Sequence, residues 1–278
     1  MVLKLEQLLG SKNSLAVLRY LVLHPYARFG LTELAETLQI SKSNVLRVLT
    51  PLQEAHLIVE QKAGRKKLLH INGEQEIVPQ LWKIFMLEKK SVLAPEFKNI
   101  IDLFYSKIQG KIDVFILFGS VARGLATKNS DIDIIIVGDT KISGPILDYL
   151  PFRFEVHNYA WKELQDKNDF VVLEALTNGI IYKGELYPLI KELKLFPKAY
   201  LIYRLNKVKE FMQKAKEATG QAKKYYQALA TITYGEIESL LHKKGIQPKR
   251  FLKTTATPLR IEELERRIAQ EGEGVWIT

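Results

Sequence analysis

The chain has 278 residues, of which 47% are hydrophobic and 26% charged, a composition ordinary for a folded protein and a length sufficient for two or three domains. It contains no cysteine, which excludes disulfides, thiolate metal sites and cysteine nucleophiles, and no apolar run approaches the roughly 20 residues of a membrane span. We therefore expect a cytoplasmic protein with no membrane partner, and the formal net charge of +10 predicts an anionic partner.

The positive charge is concentrated toward the two ends of the chain. Residues 1–72 carry a net charge of +5 and residues 198–260 carry +10, whereas the remaining residues together carry −5. The anionic partner is therefore expected at the ends of the chain.

The first seventy or so residues predict three helices and a hairpin. The spacing of apolar residues predicts helices over 14–26, 31–40 and 41–58, and Pro51 is expected to bend the last of them. The segment LIVEQKAGRKKLLHIN alternates between apolar and polar residues on either side of a turn, which predicts a β-hairpin with a basic tip over 57–72.

Three helices followed by a hairpin resemble the winged helix-turn-helix domains of ArsR- and MarR-type transcription regulators, over about residues 10–72. In that family the third helix enters the major groove and the hairpin, or wing, touches the DNA backbone or the minor groove. The alternative to nucleic-acid binding is that this segment is a protein-interaction module. A homodimer is also expected, because winged helices often pair across palindromic sites. The resemblance implies contacts with DNA or RNA from Ser41, Lys42, Ser43, Asn44 and Arg47 on the third helix and from Arg65, Lys66 and Lys67 on the wing.

The middle of the chain predicts a helix followed by a small mixed sheet. Residues 75–109 are expected to be helical with breaks at their two prolines, and residues 161–188 to be helical with a short strand at GIIYKG. Three apolar or alternating segments predict strands: IDVFILFG at 112–119, DIDIIIVG at 131–138 and FRFEVHNY at 152–159.

The segment FGSVARGLATKNSDIDIIIV carries the residues with the clearest chemistry. Ten residues separate Ser120 from Asp131, and Asp133 follows at a spacing that places both carboxylates on one face of a strand, about 6 to 7 Å apart. Carboxylates this close repel each other, and a divalent cation such as Mg²⁺ (or Mn²⁺) removes the repulsion. Gly119 would let the backbone approach a phosphate, to which Ser120 and Arg123 could donate hydrogen bonds. The alternative is a strand end that carries solvated aspartates.

The same segment resembles the active-site motif of the DNA polymerase β-like nucleotidyltransferase superfamily, especially its minimal nucleotidyltransferase branch. The likeness covers roughly residues 97–186 and rests on Gly-Ser, Ala-Arg-Gly, and a Ser before Asp-hydrophobic-Asp. It implies in-line attack of an acceptor hydroxyl on the α-phosphate of an NTP, with release of pyrophosphate. It also implies that Asp131 and Asp133 bind a metal pair, that Glu155 on a later strand binds metal or activates the acceptor, and that Gly119, Ser120, Arg123 and Ser130 contact the nucleotide.

The chain is expected to be helical and basic from about residue 196 onward, and this part resembles the helical HEPN partner of minimal nucleotidyltransferases. Its basic side chains could bind nucleic acid or the triphosphate, or could simply form a solvated face. The residues concerned are Lys207, Lys214, Lys223, Lys224, Lys243, Lys244, Lys249 and Arg250.

The predicted fold class is therefore α+β multidomain: a winged helix over 1–74, a helical linker over 75–96, a mixed-sheet nucleotidyltransferase core over 97–188 and a basic helical domain over 189–278. The predicted function is metal-dependent transfer of an NMP from an NTP to an acceptor hydroxyl, coupled to nucleic-acid binding. The alternative is a non-enzymatic DNA-binding transcription regulator that uses the transferase fold as a nucleotide sensor.

Overall fold

The computed structural model describes residues 10–63, 66–128, 130–139, 141–142, 151–166, 168–241 and 260–276. Contacts along the chain divide it into two units, the first formed by residues 1–81 with 193–278 and the second by residues 82–192. No helix in the described part of the chain is both long enough and apolar enough to cross a membrane.

The N-terminal part of the first unit contains the three helices and the hairpin that the sequence predicts. Ser11 and Ser41 cap the first and third helices, each accepting a hydrogen bond from the backbone N–H three residues later. Pro51 lies near the end of the third helix, which stops at Glu54 rather than at residue 58. The elements are α1 (Lys12–Leu23), β1 (Phe29–Gly30), α2 (Leu31–Leu38), α3 (Lys42–Glu54), β2 (Ile58–Ala63) and β3 (Lys66–Ile71), and the antiparallel strand order is β1-β3-β2.

The second unit is built around a four-stranded mixed sheet of order β6-β5-β4-β7, in which β5 and β6 are parallel and the other pairs are antiparallel. This confirms the three predicted strands and the short strand at GIIYKG. The elements are α4 (Ile77–Ser91), α5 (Pro95–Ile108), β4 (Val114–Phe118), α6 (Gly119–Ala122), β5 (Ile132–Val137), β6 (Phe154–Tyr159), α7 (Trp161–Leu164), α8 (Phe170–Asn178), β7 (Ile180–Lys183) and α9 (Tyr187–Lys191). The first five residues of α4 belong to the first unit.

The two prolines begin helices rather than break one, so the prediction of a helix broken at Pro79 was wrong. Pro79 lies in the first turn of α4, and Pro95 is the first residue of α5. The backbone N–H groups of a first turn have no partner within the helix, so proline costs no hydrogen bond at either position.

Helix α5 covers one face of the mixed sheet. Its stripe of Phe97, Ile101 and Phe104 packs against Phe115 and Leu117 of β4 and the alternate isoleucines of β5. Because side chains alternate along a strand, the intervening residues of β4 and β5 point to the opposite face. Phe118 and Asp133 belong to that opposite face.

Helix α8 contacts β4 and α6 and is fixed at both ends. The Asp169 carboxylate caps α8, accepting hydrogen bonds from the Val171 and Val172 N–H groups, and it also accepts one from the Tyr159 hydroxyl at 2.8 Å. Gly179 follows the last turn, where an added Cβ would lie 2.2 Å from the Ala175 carbonyl oxygen. Glycine therefore lets the end of α8 pack closely on the sheet.

The C-terminal part of the first unit is mostly helical, with α10 (Lys198–Glu217), α11 (Gly220–Leu241) and α12 (Ile261–Gln270). The prediction that everything beyond residue 196 is helical was wrong at the end, because β8 (Leu195–Pro197) pairs antiparallel with β9 (Gly274–Trp276).

Replacement of Gly179 by alanine is expected to lower the free energy of unfolding by about 1 to 3 kcal/mol, because the new methyl group would meet the Ala175 carbonyl and the Ile116 side chain. The measurement is urea unfolding followed by circular dichroism. Gly110→Ala is the control, since an added Cβ there has no atom within 4 Å. Equal stability of the two variants would contradict the close packing of α8.

Candidate active site

Three strands of the mixed sheet bring polar residues together where β4 ends and β5 and β6 begin. Asp133 in β5 is paired with Phe118, the last residue of β4, and with Glu155 in β6. Neighbouring strands lie about 4.8 Å apart, so the side chains of Asp133 and Glu155 stand side by side on one face. This is the sheet face opposite α5, and we call the meeting point the carboxylate edge: Asp131, Asp133 and Glu155.

The electrostatics of the carboxylate edge are dominated by negative charge. Burial raises the pKa of Asp133 to about 7, and the negative charges of Glu155 and Asp131 act in the same direction. The positive charge of Arg123 acts in the opposite direction on that pKa. The structure therefore brings the three predicted carboxylates and the predicted arginine into one electrostatic group.

Gly119 is packed directly against this edge. Its φ of 70° lies in the left-handed region, and an added Cβ would lie 1.9 Å from Oδ2 of Asp133. Only a residue without a side chain fits between β4 and the Asp133 carboxylate. Ser120 follows in α6, and its carbonyl oxygen accepts a hydrogen bond from the Leu125 N–H.

Two of the residues predicted to contact a nucleotide make contacts within the protein. Arg123, which ends α6, forms an ion pair with Glu174 of α8, and these side chains are only 10% and 11% exposed. The Ser130 hydroxyl accepts a hydrogen bond from the Thr127 N–H at 2.9 Å and so closes the turn before β5. Contact of either residue with a nucleotide stays a prediction.

The sequence analysis missed Glu174 and gave His157 no role. Nε2 of His157 lies 3.5 Å from Oε1 of Glu155, and its ring packs on Phe118. The signal for Glu174 was present, because it is the one charged residue in the apolar helix FVVLEALTN. A lone charge on a buried helix indicates a buried partner.

The carboxylate edge suits a divalent cation in its chemistry but is not a preassembled cage. Among the residues that the structure describes, no group of three or more His, Asp or Glu side chains is arranged to hold a metal ion. The donor set is nevertheless the hard oxygen set that Mg²⁺ and Mn²⁺ prefer. Burial and two neighbouring carboxylates disfavour the charged form of Asp133, and a bound cation would favour it.

The residues predicted to bind nucleic acid lie partly within the described structure. Ser41, Lys42, Ser43 and Arg47 are exposed at the start of α3, and Asn44 is half-buried. Lys67 forms an ion pair with Glu60 at 2.7 Å. Arg65 and the side chain of Lys66 lie outside the described residues.

The basic C-terminal residues also divide into two groups. Lys207 and Lys214 both pair with Glu210, at 3.0 and 2.7 Å, whereas Lys223 and Lys224 are exposed at the start of α11. Lys243, Lys244, Lys249 and Arg250 lie outside the described residues.

Comparison with known proteins gives two similarities, one to a family of domains and one to a single protein. Residues 97–225 match the family model of the nucleotidyltransferase domain. A Methanocaldococcus jannaschii protein that bears the provisional name protein adenylyltransferase is 48% identical over 54 residues, which are 19% of this chain and 49% of that protein. The match thus spans about half the length of this relative, and no solved structure matches the chain. These two similarities support a nucleotidyltransferase enzyme.

Replacement of Gly119 by alanine is expected to destabilise the protein more than replacement of Gly124 by alanine. Both glycines have left-handed φ angles, 70° and 67°, so both variants carry backbone strain of about 1 kcal/mol or more. Only at Gly119 does the new methyl group meet a carboxylate, because nothing lies within 4 Å of a Cβ at Gly124. Urea unfolding measures the difference, and a Gly124→Ala loss as large as that of Gly119→Ala would count against the packing of Asp133 on Gly119.

Proposed function

We propose that the protein transfers an NMP from an NTP to an acceptor hydroxyl in a reaction that depends on a divalent cation. The observation that carries this proposal is the pairing of Asp133 with Glu155 across parallel strands, beside a glycine that packs against the Asp133 carboxylate. The family match over residues 97–225 supports the same reaction class.

Asp131, Asp133 and Glu155 would hold the cation. When bound, Mg²⁺ or Mn²⁺ supplies positive charge that stabilises the negative charge developing on the reacting phosphate and on the leaving pyrophosphate.

The protein's own groups would bind the nucleotide and handle the proton. Backbone N–H groups at the start of α6 and the Ser120 hydroxyl would donate hydrogen bonds to a phosphate. The Glu155 side chain is 54% exposed, which leaves it accessible to an incoming acceptor hydroxyl whose proton it would accept. His157 lies on the same strand face and would orient Glu155.

We further propose ATP as the donor and a protein hydroxyl as the acceptor. The support is the name of the M. jannaschii relative, which describes transfer of an adenylyl group to protein.

Changing both Asp131 and Asp133 to asparagine is expected to lower transfer at least about a hundredfold, because asparagine lacks the charge that holds the cation. The measurement is transfer of label from α-³²P-ATP, with MgCl₂, to proteins of a cell extract. Asp139→Asn is the control, since Asp139 is an exposed aspartate beyond the other end of β5. Transfer that survives in the double variant would refute the assignment of Asp131 and Asp133 to the cation. Nucleotide binding without transfer by the unchanged protein would favour the alternative function, a regulator that uses the transferase fold as a nucleotide sensor.

We also propose that residues 10–72 bind duplex DNA as a winged helix. The support is the order of three helices and a hairpin, together with the net charge of +5 over residues 1–72 and the exposed Lys42 and Arg47 on α3. Lysine and arginine side chains on this helix would neutralise phosphates and release counterions.

Changing Lys42 and Arg47 to alanine is expected to weaken DNA binding and to lower the slope of log affinity against log salt by about 2, one for each lost phosphate contact. Fluorescence anisotropy with a labelled duplex at several salt concentrations measures both quantities. Lys12→Ala serves as the control for loss of one exposed charge in the same segment. An unchanged salt dependence of DNA affinity in the double variant would contradict the proposed contact between α3 and DNA.

A further inference from the structure

Two buried arginine–glutamate ion pairs stand out in the described structure. Arg123 pairs with Glu174 in the second unit, and Arg204 pairs with Glu236 in the first. Removing two charges from water costs free energy that their attraction often only balances, so a buried ion pair is seldom explained by stability alone. The Arg123–Glu174 pair therefore calls for another explanation, and its surroundings provide one.

Arg123 lies on the same segment as Gly119 and Ser120. It ends the short helix that begins at Gly119, and its positive charge acts on the Asp133 carboxylate. An arginine beside three carboxylates is attracted to them, because its planar guanidinium matches a carboxylate in two hydrogen bonds. An Arg123 drawn onto the carboxylate edge would occupy the place of the cation.

Glu174 offers Arg123 a competing partner away from that edge. Its helix α8 contacts α6, and α8 is itself held at its N-terminus by the Asp169 cap, which the Tyr159 hydroxyl of β6 also contacts. At its C-terminus α8 is packed on β4 through Gly179. The Glu174 carboxylate is thus presented from a fixed backbone, and it is paired with the Arg123 guanidinium.

We propose that Glu174 is a positioning residue that holds Arg123 off the carboxylate edge and aims its guanidinium at the triphosphate of the NTP donor. This inference rests on the proposed function. Glu174 itself touches neither the nucleotide nor the cation, so all of its effect on nucleotide binding passes through Arg123.

The test measures binding separately from transfer. The dissociation constant of α,β-methylene-ATP, an analogue whose α,β bridge cannot be cleaved, is determined by calorimetry with MgCl₂ for the full chain and its variants. Glu174→Gln is expected to weaken binding roughly tenfold and to raise the Mg²⁺ concentration needed for half-maximal binding. The double variant R123Q/E174Q is expected to bind no more weakly than R123Q alone, because Glu174 acts only through Arg123.

The control for a merely structural effect is Glu236→Gln. It breaks the other buried pair, in which the arginine and glutamate side chains are 7% and 1% exposed, and it is expected to lower stability without changing the dissociation constant. Thermal unfolding of each variant provides the comparison. Should Glu174→Gln fail to fold, Glu174→Asp keeps the charge but withdraws the carboxylate, and an intermediate loss of affinity is expected.

Three results would overturn the inference. The first is wild-type affinity for the analogue in Glu174→Gln or, where that variant does not fold, in Glu174→Asp. The second is a loss of affinity in R123Q/E174Q that equals the sum of the losses in R123Q and E174Q. The third is a loss of affinity in Glu236→Gln as large as that in Glu174→Gln. Failure of the unchanged protein to bind the analogue would overturn the proposed function as well, whereas normal binding by wild type with no effect at Glu174 would overturn the positioning role alone.

Discussion

Like charge confined to one edge of a small sheet is the constraint on which the rest of the second unit depends. Asp133 and Glu155 stand side by side because backbone hydrogen bonds hold β5 and β6 in parallel register, so their side chains start from neighbouring positions on one face. The surrounding residues accommodate this repulsion. Gly119 makes room for one carboxylate, and Arg123 supplies positive charge within reach of it. A bound cation would complete the neutralisation that the protein leaves unfinished.

The two buried ion pairs join helices of very different lengths. Arg204 and Glu236 join α10 and α11, two long helices whose contact is extensive, and their pair lies among buried side chains. Arg123 and Glu174 instead join a four-residue helix to a helix that is capped at one end and closely packed at the other. The four-residue helix α6 also buries Val121 in the core and contacts β4 and β5, so the ion pair is one of several contacts that fix it.

Local patterns in the sequence predicted most of what depends on local physics. Alternation and apolar spacing located the strands of the mixed sheet and the stripe on α5. Strand β5 begins at Ile132, so a face shared by Asp131 and Asp133 stays a prediction. The partnership of Arg123 with Glu174 was not predictable in this way, because it arises when segments about fifty residues apart pack together. The short strands β8 and β9 were missed for the same reason, since each is stabilised by a partner distant in the chain.

The mixed sheet has a consequence for how faithfully the protein folds. A slip of β5 by one residue would turn Asp133 toward α5 and place its carboxylate among the apolar side chains of the core. Burying a carboxylate without a partner costs free energy, so such a slip is disfavoured. The correct register also pairs Asp133 with Glu155, so one pairing of strands both keeps the acid out of the core and aligns the two acids.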